Sequence, residues 1–444
     1  MQLRKTFLSL QQMCLSKVAI AVFKDPEVKS FIEIYGVHSC IWPSEETEIF
    51  LGTTPDTLFR QANTFAVSKL NQRNDVSEFQ VSEGKVPLIG HVLPNKQWEI
   101  LLGKKVSTFR LPELIQKEIM ALVRLIVLEV DKWLEDHARI PMSITSTQIS
   151  FHWTQDAKID RVKTAKELIA NNVISVKDRF LLGCQYCFED DVALLWGMLS
   201  GLQQVVFQEV RFGIARFWAN WLRGVSPLDW EGIARTSECN PFGLRSFFPH
   251  LNEVERFNWL LVAVRRRGIE YNELQFCLQK LNENQQTELI KECPLQILEM
   301  FLEWPVQGEL VDVVDLLWPY LSVHEFHDIL NLILSQKIIP GSKDFNYIPI
   351  IRELWEKSPS RYKDFIRVAK LYNNLKLVIE YDRFRCFPHS LLIRSNDGSS
   401  LMFRSADTMF LICKKKDFFR NFRFPFHYLL NKCRRISVIY FSEN

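Results

Sequence analysis

A Cys-x-x-Cys pair is the first place in this sequence where side chains could hold a metal ion. Cys184 and Cys187 have the spacing of half a zinc site, but a structural zinc ion needs four ligands and the chain contains no second pair of this kind. The pair lies in an apolar helical run, where a free cysteine packs as a small hydrophobe. We therefore expect both thiols to be buried packing groups that bind no metal.

Two further clusters contain residue types that bind metals or transfer protons. His324 and His327 share one helix face at i, i+3, and Glu189–Asp191 is a run of three acids. The histidines lack the H-E-x-x-H spacing of metalloproteases, and Ser322 before them is a good helix N-cap. Acids at the start of a helix interact favourably with the helix dipole. Both clusters are explained more simply as helix N-termini, and no catalytic residue is assigned.

The sequence also lacks the motifs that mark common cofactor sites. It has no G-x-x-x-x-G-K-[ST] loop, no G-x-G-x-x-G motif after a strand and no G-x-S-x-G elbow. No cofactor is expected, and a non-enzymatic function is favoured. An enzyme whose site is assembled from distant residues of a helical fold stays open as the alternative.

One aromatic cluster and one run of arginines are candidates for partner binding. The aromatic side chains would anchor a partner if they lay exposed on a concave surface, whereas burial would make them packing residues. The arginines follow an apolar helix, where cations interact favourably with the negative end of the helix dipole. The residues concerned are Phe217, Trp218, Trp221, Arg265, Arg266 and Arg267.

Helices must position these residues, because the hydrophobic pattern is helical along most of the chain. Glu113–His137 is the clearest example, with apolar residues at i, i+4 and i+7 and charged residues on the opposite face. Later helices begin with good capping residues such as Asn252 and Ser322. The predicted fold class is all-α, with an irregular array of helix pairs of the α-solenoid kind and a poorly structured C-terminal tail. The predicted helices of the array are 156–170, 176–187, 190–199, 204–223, 251–266, 271–281, 284–292, 295–304, 309–320, 323–336, 344–357 and 360–372.

Composition divides the chain into four segments. A helix in the first segment starts at Thr54-Pro55-Asp56 and ends near Leu70, since proline follows a capping residue there. The second segment is rich in Gly and Pro, with short strands near Val86–Val92 and Trp98–Leu102. The predicted segments are 1–70, an N-terminal helical segment; 71–112, an irregular connector; 113–372, the helical-repeat array; and 373–444, a basic aromatic tail.

Two parts of the array resemble an ankyrin-repeat helix pair. Leu182-Gly183-Cys184 stands where ankyrin repeats have a leucine and two small residues, and Glu189–Val192 resembles the start of their second helix. Ala263 and Glu270 occupy the small and acidic positions in a second segment. The T-P-L-H opening of the family is absent and its turn glycine is Cys187. The two segments are not separated by a multiple of the ~33-residue ankyrin period.

The resemblance covers about a tenth of the chain and implies a degenerate, ankyrin-like helical array. Ankyrin proteins are binding scaffolds, so it implies interaction with another protein or peptide without naming that partner. The chain as a whole also resembles large families of helical proteins found in arthropods, a likeness that implies no activity.

Positive charge is concentrated at the C-terminal end. Residues 401–444 contain nine basic and three acidic residues and eight of the 33 phenylalanines, whereas the preceding residues have a net charge of −3. A nearly neutral body has no general attraction to nucleic acid or anionic lipid. The tail shows neither helical nor strand periodicity, but its basic and aromatic residues suit single-stranded nucleic acid or an anionic membrane surface. Its composition is also that of translated AT-rich non-coding DNA, so an alternative gene end is an equal hypothesis.

The compartment is predicted from the cysteines and from the apolar segments. Ten cysteines at irregular spacing indicate reduced thiols rather than a disulfide framework. The N-terminus lacks the apolar core of a signal peptide. The most apolar stretch, Ala121–Val130, is interrupted by charges and is far shorter than the ~20 residues that cross a membrane. The prediction is a soluble protein of the cytoplasm or nucleus that acts as a protein-binding scaffold.

Overall fold

The structure is a computed structural model in which helices account for 69% of the chain, so the predicted helical majority is confirmed. A five-stranded sheet accompanies the helices, which differs from the predicted all-α class. The residues described are 8–52, 62–70, 78–86, 94–138, 140, 149–209, 213–236, 242–381, 387–395, 400–405, 408–413, 433 and 435–441.

The chain divides into two compact units. Glu129–Cys293 forms the central unit, and Thr6–Leu128 with Pro294–Asn444 forms the terminal unit. The α-helices of the described residues are α1 (Leu10–Phe23), α2 (Pro26–Tyr35), α3 (His38–Ile41), α4 (Ser44–Leu51), α5 (Pro94–Ser107), α6 (Glu113–Asp136), α7 (Arg161–Ala170), α8 (Val176–Tyr186), α9 (Glu189–Met198), α10 (Gly201–Glu209), α11 (Gly213–Leu222), α12 (Trp230–Thr236), α13 (Leu244–Phe247), α14 (Glu253–Arg265), α15 (Tyr271–Leu278), α16 (Glu283–Glu292), α17 (Pro294–Met300), α18 (Leu310–Leu317), α19 (Val323–Ile333), α20 (Tyr347–Lys357), α21 (Ser360–Arg367), α22 (Leu371–Ile379) and α23 (His389–Ser395). Short 3-10 helices cover Phe248–His250 and Gln307–Glu309, and a π-helical turn covers Leu334–Ile338.

Capping residues visible in the sequence start several of these helices. The Asp25 side chain accepts a hydrogen bond from the backbone N–H of Glu27 at 2.9 Å. Asn252 and Ser322 each form a capping box with the glutamate three residues later. Because these side chains satisfy backbone donors that a helix leaves unpaired, they fix where the helix begins. The predicted starts at Asn252 and Ser322 are confirmed.

Helices in each unit pack on near neighbours in the sequence. In the central unit α8 packs on α9 and α11, and α14 packs on α12 and α16. In the terminal unit α17, α19 and α21 pack in succession, and so do α18, α20 and α22. These four pairings of the terminal unit each skip one helix, which places alternate helices side by side.

Most of the predicted helices of the array are found, with two differences. The predicted helix 204–223 is replaced by α10 and α11, and the short helices α12 and α13 have no predicted counterpart. In the predicted connector, the strand expected at Trp98–Leu102 lies instead in α5. Trp98 and Leu102 are fully buried, whereas Ile100 between them is 53% exposed. A helix turns i+2 away from i and i+4, but a strand would place all three side chains on one face.

The sheet belongs to the terminal unit and has the strand order β2-β1-β5-β4-β3. β1 pairs antiparallel with β2 and β5, β4 pairs parallel with β5, and β3 pairs antiparallel with β4. In register, Ala62 of β1 lies opposite Phe441, and Thr408 of β4 lies beside Arg435. The strands are β1 (Ala62–Leu70), β2 (Glu78–Val86), β3 (Ser400–Ser405), β4 (Thr408–Cys413) and β5 (Arg435–Phe441).

Strands occur in three places where none was predicted. β2 precedes the strand expected near Val86–Val92, of which only Val86 lies within the described residues. The described part of the helix expected to end near Leu70 is instead β1, which pairs with strands on both sides; the start signal at Thr54-Pro55-Asp56 lies outside the described residues. The C-terminal tail, expected to be poorly structured, contributes three strands. The rest of its basic and aromatic stretch, 414–432, lies outside the described residues.

Candidate functional site

The aromatic candidates for partner binding lie in α11 of the central unit, where Trp218 is completely buried. Its indole N–H donates to the carbonyl oxygen of Cys184 at 3.1 Å, which joins α11 to the end of α8. Trp221 and Phe217 are half-buried, and the ring of Trp221 meets that of Trp218 edge-on at 5.7 Å. Trp218 is therefore a packing residue, which leaves only its two neighbours partly accessible to a partner.

The three arginines lie at the end of α14, as the dipole argument predicts. Arg265 pairs with Glu292 of α16 at 2.5 Å, and both side chains are about half exposed. Arg266 is exposed, whereas Arg267 is half-buried and has a positive φ of 56°. The run is a helix C-terminus whose first arginine forms an ion pair with α16.

The helix pairs that resemble ankyrin repeats share one turn geometry. Cys187 and Arg267 stand at equivalent positions and have φ values of 54° and 56°. The N–H of the next residue reaches back in both, from Phe188 to the Gly183 carbonyl at 3.0 Å and from Gly268 to that of Ala263 at 2.8 Å. This is the Schellman motif that usually ends in glycine. Both segments therefore turn from one helix to the next in the same way.

The candidate metal ligands Cys184, Cys187, His324 and His327 all contact or pack against other parts of the protein. Cys184 and Cys187 are buried, and burial raises the pKa of the Cys187 thiol to about 12. The imidazoles of His324 and His327 both meet the ring of Phe365 edge-on, with ring centroids 4.8 Å and 6.3 Å apart respectively. Nowhere in the described ranges do three or more His, Cys, Asp or Glu side chains converge on a point that could hold a metal ion.

The central unit contains a buried ionic cluster that was not predicted from the sequence. The Asp136 carboxylate is 2% exposed and contacts Lys132 Nζ at 3.0 Å and Arg161 Nη1 at 2.9 Å. Burial alone would lower the pKa of Arg161, but the negative charges of Asp136 and Glu129 raise it. The cluster thus holds its charges in fixed pairs.

Two carboxyl groups beside this cluster have pKa values displaced in opposite directions. Lys158 Nζ lies 3.4 Å from Glu270, and positive charges lower the pKa of Glu270 although its burial would raise it. Burial and the charge of Glu270 raise the pKa of Glu273. Such a split is typical of acid–base pairs, but here each side chain accepts the backbone N–H of the other at the start of α15. The geometry is that of a capping box.

Two buried histidines are held neutral by their burial, and their hydrogen bonds fix which ring nitrogen carries the proton. His137 Nδ1 lies 2.6 Å from the Trp133 carbonyl oxygen, so it carries the proton, and Nε2 accepts from the Tyr186 hydroxyl at 3.0 Å. Burial lowers the pKa of His137 to about 3. In the terminal unit the Trp42 indole donates to His38 Nδ1 at 3.2 Å, so Nε2 of His38 donates to Ser437 Oγ at 2.8 Å.

The His38–Ser437 contact therefore has the wrong polarity for nucleophilic catalysis. A general base must accept the serine proton, whereas this imidazole donates its own. Burial and the charge of Arg435 lower the pKa of His38 to about 3. The pair joins α3 to β5.

A buried carboxyl group in α4 has only distant charged partners. Glu46 is 1% exposed; its Oε1 lies 3.4 Å from His389 Nδ1 and 3.9 Å from Lys343 Nζ. Its Oε2 is buried without a hydrogen-bond partner in the described part of the chain. His389 Nε2 donates to the Ile338 carbonyl at 3.0 Å, at the end of the π-helical turn. Burial raises the pKa of Glu46.

The outer surface of α9 and α10 is a different kind of site, because its exposed apolar side chains lie close together in the sequence. Other exposed apolar residues of the described chain are scattered, which is ordinary for a protein surface. Here five occur within thirteen positions of two successive helices. This α9–α10 surface consists of Leu194 (68% exposed), Met198 (53%), Leu202 (83%), Val205 (48%) and Val206 (43%).

The inner side of the same helix pair is firmly packed. Val192, Leu195 and Phe207 are buried, and the ring of Phe207 lies 4.9 Å from that of Phe180 in α8. Gln204 Nε2 donates to the carbonyl oxygen of Trp196 at 2.9 Å, which joins α10 to the end of α9. The exposed side chains therefore stand on a fixed support. The sequence signal for this surface is the uncharged stretch from 192 to 208.

No protein-family model matches the chain, and neither a curated protein nor a solved structure is detectably similar to it. Among the helices of the described part of the chain, none combines the length and apolarity needed to cross a membrane.

Proposed function

We propose that this protein is a non-enzymatic scaffold that binds another protein or peptide through its helical surface. The observation that carries the proposal is the α9–α10 surface, whose five apolar side chains are exposed on a packed support. Exposed apolar clusters of this kind are typical of protein interaction sites, because covering them removes apolar area from water. Fully burying one such side chain contributes about 1.5–3 kcal/mol.

The helical body is further proposed to be an irregular array of helix pairs. The skipping contacts of α17 to α22 support this, since stacked helix pairs place alternate helices side by side. The shared turn geometry at Cys187 and Arg267 also supports it. Such arrays present extended surfaces to partners.

The polar clusters favour a scaffold over an enzyme. The carboxylate of Asp136 is used by two cations, and the imidazoles of His137 and His38 are fixed by hydrogen bonds on both nitrogens. A catalytic acid or base must instead be able to exchange a proton with a substrate. The free cysteines of the described part of the chain fit a reducing compartment, so we propose that the protein lies in the cytoplasm or nucleus.

The test is reconstitution of a defined complex. The tagged full-length chain is used to capture partners, each reproducible partner is purified, and its binding to the purified chain is measured by calorimetry. A stoichiometric complex with a measurable Kd is expected. Failure of every captured protein to bind in purified form would contradict the proposal, as would turnover of a small molecule by the purified chain.

A further inference from the structure

We propose that the α9–α10 surface is a docking site for an amphipathic segment of a partner protein that carries Lys or Arg at one end. The inference rests on the proposed scaffold function and names the surface and the chemistry of its partner. The occupant is a helical segment with apolar side chains at i, i+3, i+4 and i+7 spacing, the pattern that fits a groove or ridge between helices.

The first argument is that α9 is apolar on both its buried and its exposed face. Val192 and Leu195 are buried against the central unit, while Leu194 and Met198 are exposed. A helix that is apolar all round is normally covered on every side. No charged residue occurs from 192 to 208, and the only polar side chains of this stretch besides the Trp196 indole are Ser200 and three glutamines. The missing cover must come from a partner.

The second argument concerns shape. Asp190, Leu194 and Met198 follow i, i+4, i+8 spacing and therefore lie along one side of α9. A side chain at Gly197 would meet no atom within 4 Å, so the backbone is open between these residues. α9 is about 15 Å long at 1.5 Å per residue, which matches about three turns of a partner helix. The packed inner side means that little ordering is needed before the partner binds.

The third argument is charge complementarity, and it decides the kind of partner. Glu189 and Asp190 are exposed at the start of α9 and form no ion pair with any described residue. Asp191 is already paired with Lys166. One end of the apolar surface is therefore negative, which attracts Lys or Arg and repels phosphate groups. This favours a basic, apolar protein segment over nucleic acid or an anionic membrane.

The experiment selects peptides from a random phage-displayed library on the immobilised full-length protein. The selection is counter-screened on the double variant Leu194→Glu/Leu202→Glu. Peptides enriched on the wild type are synthesised, and their Kd is measured by fluorescence anisotropy. We expect the enriched peptides to contain apolar residues at helical spacing next to Lys or Arg. Their binding to the double variant should be at least ~30-fold weaker, because both changes put a charge under an apolar contact. Glu189→Gln/Asp190→Asn should weaken binding about three- to tenfold, with a smaller effect at high salt.

Val254→Glu is the matched control, because Val254 is 66% exposed in the same unit and lies outside the surface. It should leave peptide binding unchanged, and circular dichroism melts should show that all variants remain folded. Peptides that bind the double variant as tightly as the wild type would overturn the proposal, as would selection of acidic peptides or of none. If the wild type sediments with phosphatidylserine vesicles and the double variant does not, the surface binds a membrane and the proposal of a protein segment is wrong.

The two proposals fail in distinguishable ways. If a reconstituted partner binds the wild type and the double variant equally, the scaffold function stands and the α9–α10 surface is the wrong site. If neither a reconstituted partner nor a surface-dependent peptide is found, both proposals are wrong.

Discussion

Gly183 in α8 and Gly197 in α9 should respond in opposite ways to replacement by alanine. A Cβ atom on Gly183 would lie 3.1 Å from Cγ2 of Val192 and 3.9 Å from Cδ1 of Ile169. A Cβ atom on Gly197 would meet nothing within 4 Å. The first glycine allows α8 and α9 to approach closely, whereas the second has no such role in the central unit.

The expected magnitudes follow from two opposing terms. Replacing a glycine inside a helix by alanine contributes about 1 kcal/mol of helix stability. Overpacking a filled contact costs about 1–3 kcal/mol. Gly197→Ala should therefore raise the free energy of unfolding by about 1 kcal/mol, since only the first term applies. Gly183→Ala should leave it unchanged or lower it by as much as about 2 kcal/mol.

Urea unfolding of the full-length protein, followed by far-UV circular dichroism, measures both values. A double-mutant cycle with Val192→Ala isolates the contact, because the shorter side chain makes room for the new methyl group. We expect Gly183→Ala to be less harmful in the Val192→Ala background, with a coupling energy of about 1 kcal/mol. Equal stabilisation by the two glycine replacements, with no coupling, would refute the reasoning.

Three further substitutions test the caps and the buried charges. Arg267→Gly should raise the unfolding free energy by about 0.5–1 kcal/mol in thermal melts, because the left-handed conformation of Arg267 strains non-glycine residues. Arg266→Gly should lower it, because Arg266 has an ordinary φ of −84°. Asp136→Asn should lower it by about 2–4 kcal/mol in urea, because two cations lose their shared partner; a loss below about 0.5 kcal/mol would contradict the buried pairing. The pKa of Glu46 is raised in the folded protein, so the unfolding free energy of the wild type should fall as pH rises above the unfolded pKa of 4.5. In melts from pH 4 to 8, Glu46→Gln should remove this pH dependence, whereas Glu48→Gln should retain it.

The helices could be predicted because their signals are local. Asn252 and Ser322 mark helix starts within four residues of sequence, and the structure places α14 and α19 directly after them. The helix predicted at Glu113–His137 has an equally clear pattern, with an apolar face opposite a charged one. The observed α6 ends one residue earlier, at Asp136.

The sheet could not be predicted because its signals are not local. β4 is paired on both sides and all six of its residues are buried, so its sequence is an apolar run without the alternation that marks a half-exposed strand. β1 depends on pairing with β5 at the far end of the chain. Neither relation can be inferred from a window of sequence.

The candidate interaction surface was missed for a related reason. The pattern of α9 predicts burial on every side, and nothing in the sequence distinguishes Leu195, which is buried, from Leu194, which is exposed. Only the packing of α8 and α11 against one side of α9 decides which face stays open. The aromatic residues of α11 are a stronger sequence signal because tryptophans are common interface anchors, yet Trp218 packs inside the unit.

The pairing of β1 with β5 also has a consequence for synthesis on the ribosome. About 365 residues separate the end of β1 from the start of β5. At about 5–20 residues per second, the nascent chain would wait about 20–70 s between emergence of these two strands. During that interval one edge of β1 has unpaired backbone groups, and such an edge readily pairs with another chain. A stalled or shortened translation product would keep that edge open permanently, so chaperone association and aggregation should be greatest for products that end before β5.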